Sequence, residues 1–379
     1  MNIGIDIRSV VSGPVAGVGE YTFRIIQAMS AKDQDNEYFL FYNSWASVSV
    51  PFVAGRNVHV IGTHYPNKIL NQSFRFLSRP KMESLVGTKL DFFWLPNWNF
   101  YPRDPSLPYI LTVHDLSPFI EPSFFSWKRR LWHRWIGALD LIENASHIVA
   151  VSENTKRDIM QICDISAEKI SVVYSGVDCE FEETPNEEDL RRVILKYNLP
   201  AKFILFLGTI EPRKNVEGLI EAFSRMAVGE NRDLHLVIAG GWGWNYGGVL
   251  AAHLHSPARD RIHFLGYIKR EEKLSLYHLS RSFAFPSFYE GFGFPPLEAA
   301  MAGKAIVSSY SSSLGKILPR SAILVDPYDI SELSRALIAS LGRETSVYER
   351  VEITKRFSWE RAGREMEEII KNDELRMTN

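Results

Sequence analysis

Short apolar runs alternate with longer amphipathic stretches along the whole chain, and this alternation constrains the fold more than any other feature. Most runs are almost continuously apolar, which is typical of parallel strands covered on both faces. Helical patterns, for example Val18–Met29, Ser152–Cys163, Asn215–Met226 and Pro295–Met301, lie between the runs. The sequence therefore predicts an α/β fold with parallel sheets. The predicted strands are Asn2–Arg8, Tyr38–Tyr42, Val58–Ile61, Phe92–Leu95, Tyr109–His114, His147–Val151, Ser171–Tyr174, Phe203–Leu207, Leu234–Ala239, Ile262–Leu265, Phe283–Phe285, Ala305–Ser308 and Ala322–Val325.

The length of 379 residues predicts two domains, each long enough to bury a core. We place the boundary after Ser175–Asp178, because the next stretch, Glu180–Glu188, is acidic and poor in apolar residues. We expect one domain over residues 1–178 and a second over residues 198–357.

Charge and cysteine content exclude several classes of protein. The formal net charge of -2 gives no global electrostatic case for nucleic-acid binding. The two cysteines, Cys163 and Cys179, are too few for a disulfide framework and fit a reducing cytoplasm. The first residues lack the features of a signal peptide, and no apolar run reaches the ~18 residues of a membrane span. We therefore expect a cytoplasmic protein that is at most peripheral to a membrane.

Ligands of open α/β sheets bind beyond the carboxyl ends of the strands, so the strand-to-helix loops are the candidate binding segments. The first such loop, Ser12–Tyr21, contains Gly13, Gly17 and Gly19. Glycines let the backbone approach a ligand, and the following helix N-terminus attracts anions. The glycine spacing matches neither the dinucleotide nor the Walker pattern, so a flexible turn is an equally good interpretation.

Two cations, Arg213 and Lys214, stand just before a helix that Asn215 can cap. Cations at a helix N-terminus oppose the helix dipole, so helix stability does not explain them. They suit a site that neutralises a diphosphate; a solvated charge pair is the alternative.

Glu290 and Glu298 form the strongest motif, within Glu-Gly-Phe-Gly-Phe-Pro-Pro-Leu-Glu-Ala. Glu290 is expected in the loop and Glu298 about one turn into the helix, with Pro295 in the first helical turn. A helical carboxylate can accept hydrogen bonds from both hydroxyls of a ribose, and a loop carboxylate can hold sugar hydroxyls. Stabilisation of the helix dipole by acidic residues is the alternative for Glu298.

Together with Gly-Thr-Ile-Glu-Pro-Arg-Lys-Asn, Ser-Gly-Val-Asp and the Gly-Val-Gly-Glu-Tyr loop, these motifs resemble those of family 4 of the retaining glycosyltransferases. The resemblance runs in the family's order over nearly the whole chain. It implies the GT-B fold, in which two Rossmann-like domains face each other across a cleft. It also implies that the last helix, over residues 359–379, returns to the N-terminal, acceptor-side domain, and that the C-terminal domain binds the nucleotide-sugar donor.

The resemblance further implies roles for single residues. Arg213 and Lys214 would stabilise the donor diphosphate as leaving group, Glu290 would contact the transferred sugar, and His114 would lie at the sugar-binding cleft. Glu298 would hold the donor ribose. The remaining donor-binding residues implied are Gly17, Gly19, Gly208, Thr209, Gly291, Phe292, Gly293 and Phe294.

Two positions depart from the family's pattern. Thr209 stands where many members carry an arginine, so Arg213 is expected to take over that role. Ser313–Ile317 lacks the common acidic residue of a loop that usually shapes the donor base pocket.

The family implies front-side displacement with retention, without a metal or other cofactor. Asp33-Gln-Asp35 is an Asp-x-Asp motif, but it is interpreted as a surface turn. His253 and His255 are spaced so that they do not share a helical face, and no acidic partner is evident, so no metal site is predicted.

The segment 124–135 mixes cations and aromatic residues, and Asn67–Lys81 adds four more cations. Such helices can lie on an anionic membrane surface, and many acceptors in the family are lipid-linked. The alternative is an ordinary helix with its aromatic residues in the core.

The function predicted is transfer of a hexose, first mannose from GDP-mannose, to a glycan or lipid-linked glycan acceptor in surface polysaccharide or glycolipid synthesis. UDP-sugars stay open as donors. A sugar-nucleotide hydrolase or epimerase on the same fold is one alternative, and a non-catalytic sugar-nucleotide-binding subunit is another.

Overall fold

The computed structural model describes residues 1–11, 17–31, 33, 35–46, 48, 50, 56–227 and 232–377, with side chains described to Asn372. The chain divides into two compact units. The first comprises residues 1–116, 128–176 and 357–379, and the second comprises residues 117–127 and 177–356.

The strands are β1 (Asn2–Asp6), β2 (Glu37–Asn43), β3 (Val58–Thr63), β4 (Phe92–Leu95), β5 (Tyr109–Val113), β6 (His147–Ala150), β7 (Ile170–Val172), β8 (Phe203–Leu207), β9 (His235–Ala239), β10 (Ile262–Gly266), β11 (Ser282–Phe285), β12 (Ile306–Ser309) and β13 (Ile323–Val325). Each predicted strand is thus confirmed to within two residues at either end.

The helices of the described residues are α1 (Arg8–Val11), α2 (Val18–Ser30), α3 (Asn67–Leu77), α4 (Met82–Val86), α5 (Ser117–Ile120), α6 (Trp127–Ile136), α7 (Ala138–Asn144), α8 (Glu153–Cys163), α9 (Glu187–Tyr197), α10 (Val216–Met226), α11 (Gly247–His255), α12 (Arg270–Leu279), α13 (Phe294–Met301), α14 (Leu314–Ile317), α15 (Ile330–Ser340), α16 (Val347–Arg356) and α17 (Trp359–Met377). None of these helices is long and apolar enough to cross a membrane.

Each unit is built on one parallel sheet in the described part of the chain. The strand order is β3-β2-β1-β4-β5-β6-β7 in the first unit and β10-β9-β8-β11-β12-β13 in the second. In the first sheet Ile3 pairs with Tyr38 on one side and with Phe92 on the other, so β1 is central. In each sheet the strand order switches beside the first strand of the unit, between β1 and β4 in one and between β8 and β11 in the other. Such a switch point forms a crevice at the carboxyl ends of the strands.

The cores lie at these central strands. All five residues of β5 and all five of β8 are buried, as continuous apolar runs require when helices cover both faces. In the first unit, α17 packs against α2 through buried Ala362, Met366 and Ile370. The apolar positions of α17 recur every four residues, which gives the helix one buried stripe.

Candidate active site

The loop after β8 carries the two predicted cations. Pro212–Lys214 form one 3₁₀ turn, and Asn215 then adopts a left-handed conformation with φ 53°. Asn215 Oδ1 accepts from the Gly218 amide at 3.3 Å, and Asn215 Nδ2 donates to the Pro327 carbonyl at 2.7 Å. The predicted cap of α10 is therefore confirmed, and its second hydrogen bond fixes the loop against a distant segment.

Arg213 and Lys214 both pair with Glu290 in the loop after β11. Arg213 donates to Glu290 Oε2 at 2.7 Å, and Lys214 Nζ donates to Oε1 at 2.5 Å. Lys214 is 9% exposed and Glu290 6% exposed, so the alternative of a solvated charge pair is wrong. Glu211, buried at 3% exposure, is a second carboxylate in contact with Arg213, with 2.7 Å between Oε1 and the guanidinium.

The pKa values of Glu290, Lys214 and Glu211 show how burial and charge pairing oppose each other. Burial alone would raise the pKa of Glu290, but Arg213 and Lys214 outweigh burial and lower it to about 2. Burial lowers the pKa of the Lys214 ammonium, and Glu290 opposes that change. Burial also raises the pKa of Glu211. Glu290 is the carboxylate that both cations share, and Glu211 pairs with Arg213 in addition. A diphosphate placed beside the cations would compete with Glu290.

The loop that holds Glu290 is fixed by the positive φ of Gly293 and by the side chains of Ser312 and Ser313. Gly293, with φ 123°, precedes α13, and a Cβ at this position would lie 2.7 Å from Leu314 Cδ2. Ser312 Oγ accepts from the Glu290 amide at 2.7 Å, and Ser313 Oγ donates to the Glu290 and Phe292 carbonyls at 2.9 and 2.6 Å. The segment that departs from the family's acidic pattern therefore supports the glutamate loop directly.

Glu298 lies in α13 as predicted and is 3% exposed. The Tyr277 hydroxyl donates to Glu298 Oε2 at 2.7 Å, and Lys273 Nζ lies 3.1 Å from Oε1. Both partners come from α12, four residues apart, on one face of that helix. One carboxylate has about four lone-pair positions, so Glu298 keeps acceptor capacity for ligand hydroxyls.

The other predicted donor-binding residues of the second unit lie in the loop after β8, in the loop that precedes α13 and at the first residue of α13. Gly208 directly follows β8 and donates to the Ala239 carbonyl at 2.9 Å, whereas Thr209 is exposed. Gly291 and Phe292 are buried in the glutamate loop, and half-buried Phe294 begins α13.

His114 belongs to the first unit and directly follows β5. Its Nε2 lies 2.8 Å from the Pro96 carbonyl oxygen, and its ring meets the Tyr21 ring edge-on at 4.8 Å. Burial lowers the pKa of His114, so the ring is neutral near pH 7. A carbonyl can only accept, so Nε2 carries the proton and Nδ1 carries the lone pair.

Gly17 and Gly19 stand at the start of α2 in the first unit, with Gly17 exposed at the N-cap and Gly19 buried. The part of the predicted glycine loop at 12–16, including Gly13, lies outside the described residues.

The Asp-x-Asp motif is a structural turn where it is described. Asp33 Oδ2 accepts from Asn36 Nδ2 at 2.6 Å and from the Tyr38 hydroxyl at 2.5 Å. Within the described residues, no group of three His, Cys, Asp or Glu side chains is arranged to hold a metal ion.

Sequence reasoning missed Glu211, Lys273, Tyr277 and the Ser312–Ser313 pair. Glu211 could have been noticed as an acid two residues before Arg213. Lys273 and Tyr277 could have been noticed only as an i, i+4 pair, which gives no indication of its partner.

Two parallel-sheet units, with paired cations and carboxylates on the strand-to-helix loops of the second, define the chain as a glycosyltransferase of the GT-B architecture. Comparison with known proteins agrees over nearly the whole length. Residues 15–181 match the family described as Glycosyltransferase Family 4, and residues 187–357 match the family described as Glycosyl transferases group 1. The chain therefore belongs to the family 4 glycosyltransferases, and its relatives make it mannosyltransferase-like.

Among curated proteins, the chain is similar to O-antigen chain mannosyltransferase B of Escherichia coli, at 27% identity over 92% of this chain and 93% of that protein. It is also similar to the serotype-specific mannosyltransferase WbdA of Escherichia coli, at 28% identity over 66% of this chain and 32% of that protein. Among solved structures, sucrose-phosphate synthase from Thermosynechococcus elongatus has the same fold, with a TM-score of 0.75, 16% identity and complete coverage of both chains.

Proposed function

We propose that this chain is a retaining, metal-independent hexosyltransferase. It transfers mannose from GDP-mannose to a glycan or lipid-linked glycan acceptor in surface polysaccharide or glycolipid synthesis. The observation that carries the proposal is the buried pairing of Arg213 and Lys214 with Glu290. The choice of mannose is supported by the names of the relatives in Escherichia coli.

In the proposed reaction, the bond between the anomeric carbon and the phosphate oxygen breaks, and its electron pair goes to the diphosphate. The acceptor hydroxyl oxygen forms the new bond from the same face, and its proton passes to the departing phosphate oxygen. Negative charge grows on the diphosphate, and Arg213 and Lys214 stabilise it as positioned cations. Once the diphosphate neutralises Arg213 and Lys214, Glu290 accepts hydrogen bonds from the sugar hydroxyls. Glu298 accepts hydrogen bonds from the ribose hydroxyls.

The Arg213 and Lys214 cations supply the charge that a divalent metal supplies in other transferases. The proposal therefore predicts full activity in the presence of EDTA. The test combines the purified chain with GDP-mannose or UDP-glucose, with and without a mannose-terminated acceptor, in EDTA. Product analysis by NMR gives the anomeric configuration.

We expect an α-linked product from GDP-mannose only. Inversion of the anomer or loss of activity with EDTA would refute the mechanism. Release of free mannose at the same rate with and without acceptor would favour the hydrolase alternative. Nucleotide binding without transfer or hydrolysis would favour a non-catalytic sugar-nucleotide-binding subunit.

We further propose that segment 124–135 contacts an anionic membrane surface. The support comes from α6, where Leu131, Trp132 and Trp135 are 53%, 47% and 45% exposed beside the exposed cations Arg129 and Arg130. Exposed tryptophans beside cations are typical of helices that lie at a membrane interface.

In α3, Ile69, Phe76 and Leu77 are likewise exposed. The assay is co-sedimentation with vesicles that contain phosphatidylserine or only phosphatidylcholine. Arg129→Glu with Arg130→Glu should abolish binding to the anionic vesicles, and the matched control, Arg191→Glu with Arg192→Glu on α9, should not. Equal binding by both variants would count against the membrane contact.

A further inference from the structure

A cavity of about 570 Å³ lies within the first unit, at the carboxyl ends of its central strands. Asp6 is the last residue of β1, Asn43 is the last residue of β2, and Pro96–Asn99 directly follow β4. The cavity thus occupies the switch point between β1 and β4, where α/β sheets form their ligand crevice. Its volume falls within the ~300–1,000 Å³ that is typical of small-molecule sites.

Side-chain amides dominate the polar lining of this cavity, which we call the amide pocket. Asn67 and Asn71 line it from α3, one helical turn apart, and Asn97 and Asn99 line it from the loop after β4. An amide presents donors and an acceptor together, as does a sugar hydroxyl. Among the described residues, neither Asn71 nor Asn97 hydrogen-bonds to another residue through its side chain, so both amides remain available to a ligand.

Aromatic rings complete the lining. Trp98, which is 9% exposed, and Trp132, which is 47% exposed, both border the amide pocket. Flat apolar rings beside hydrogen-bonding amides suit a ligand that has one apolar C–H face and a rim of hydroxyls, as a hexose ring does.

The charges in the amide pocket neutralise each other. Arg8 Nε lies 2.9 Å from Asp6 Oδ1, and an Arg8 terminal nitrogen donates to Asp6 Oδ2 at 2.7 Å and to the Phe100 carbonyl at 2.8 Å. The guanidinium also lies 5.7 Å from the centre of the Phe41 ring. A bidentate ion pair of this kind leaves little attraction for an anionic ligand.

One loop of the amide pocket is hydrogen-bonded to His114. The loop that begins at Pro96 supplies Asn97, Trp98 and Asn99, and the His114 Nε2–H donates to the Pro96 carbonyl at 2.8 Å. A site on a fixed loop loses less conformational entropy when it binds a weakly interacting ligand such as a sugar. His114 thus holds the backbone at the start of this loop.

We infer that the amide pocket binds an uncharged terminal hexose unit of the acceptor glycan, and that it discriminates against phosphorylated or acidic sugars. This inference rests on the proposed function, in which the acceptor glycan needs a site separate from the donor site. The inference adds to the proposed function the chemical class of the sugar at the acceptor terminus, and it names the residues that recognise this sugar.

The test measures saccharide binding directly, without turnover. Saturation-transfer NMR and calorimetry would compare methyl α-mannoside and an α-linked mannobiose with mannose 6-phosphate. We expect the two neutral ligands to bind the wild-type chain and mannose 6-phosphate to bind at least about 10-fold more weakly. Asn71→Ala and Asn97→Ala should each weaken the neutral ligands about 3- to 10-fold, the loss typical of one hydrogen bond.

The matched control is Asn144→Ala, which removes an exposed helical asparagine from the same unit. GDP affinity and thermal unfolding should be unchanged in all three variants, which excludes misfolding. In transfer assays the two pocket variants should raise the acceptor KM and leave the donor KM unchanged.

Neutral-sugar binding that survives both pocket substitutions would overturn the amide pocket, as would tighter binding of mannose 6-phosphate. Absence of saccharide binding in a chain that binds GDP and transfers mannose would also overturn it, yet leave the proposed function standing. Absence of nucleotide binding and transfer, with methyl α-mannoside still bound in the pocket, would overturn the proposed function alone.

Discussion

Replacement of Glu290 by glutamine tests the charge balance at the centre of the candidate active site. Arg213 and Lys214 lower the pKa of this carboxyl from 4.5 to about 2, against the effect of burial. Each pKa unit corresponds to ~1.4 kcal/mol, so the ionised Glu290 contributes about 3 kcal/mol to the free energy of unfolding at pH 7. Removal of one partner from a buried ion pair costs ~3–5 kcal/mol, which is the same order.

The pH dependence of this stabilisation follows from the lowered pKa of Glu290. Because the pKa is lower in the folded state, the stabilisation is complete above pH 4.5 and is lost as the pH falls towards 2. Glu290→Gln lacks this titration. The stability advantage of the wild type should therefore be constant from pH 7 to about 5 and then shrink by ~1.4 kcal/mol for each pH unit.

Urea unfolding of both chains between pH 7 and 3.5, followed by tryptophan fluorescence, measures this difference. Two units can give two transitions, so the comparison uses the transition that GDP shifts. Glu271→Gln, which changes a carboxylate that is 63% exposed, is the control and should lie within ~0.5 kcal/mol of wild type. An advantage of equal size at pH 7 and pH 3.5 would refute the reasoning, because it would show that Glu290 is not held ionised by its partners.

Three further substitutions address the same unit. Lys214→Met should lower kcat by ~10²–10³ in the transfer assay, because one positioned cation is lost from the leaving group, and an unchanged kcat would remove Lys214 from the mechanism. Tyr277→Phe removes the hydroxyl that donates to Glu298, so it should weaken GDP binding in calorimetry about 3- to 10-fold with little change in melting temperature. Equal GDP affinity would show that GDP binding does not depend on the hydrogen bond from Tyr277 to Glu298. Gly293→Ala should destabilise the second unit by ~1–3 kcal/mol in urea unfolding, because a residue with a Cβ is strained at a φ of 123° and its Cβ would also contact Leu314. A variant as stable as the wild type would contradict that backbone geometry.

The elements of the fold were predictable because their signals are local. Buried parallel strands such as Phe203–Leu207 are read from a short apolar run, and their ends agree with the structure to within two residues. The start of α13 was predictable for the same reason, since Gly293 and Pro295 mark a helix start by their own backbone preferences.

The composition of the candidate active site was predictable only in part. Arg213, Lys214, Glu290 and Glu298 were identified from motifs, but the motifs do not say which groups touch. Glu290 meets Lys214 across 76 positions of sequence, and Tyr277 meets Glu298 across 21. The Glu290–Lys214 pair forms because β8 and β11 are neighbours in the sheet, and the Tyr277–Glu298 pair forms because α12 and α13 place these side chains together. Neighbouring strands are set by the crossovers of the chain rather than by any local pattern.

The sequence by itself determined the class of fold, the order of the strands along the chain and the residues of the donor-side motifs, because hydrophobic periodicity and glycine or proline preferences act over a few residues. The tertiary structure alone decided that Arg213 and Lys214 share Glu290 as counterion, and that Asp6, Asn43 and Asn97 surround one pocket. Those residues come from three strands whose carboxyl ends meet only after β1 has been placed between β2 and β4. Packing then sets which of their hydrogen-bonding groups stay available to a ligand, and packing is a property of the folded chain.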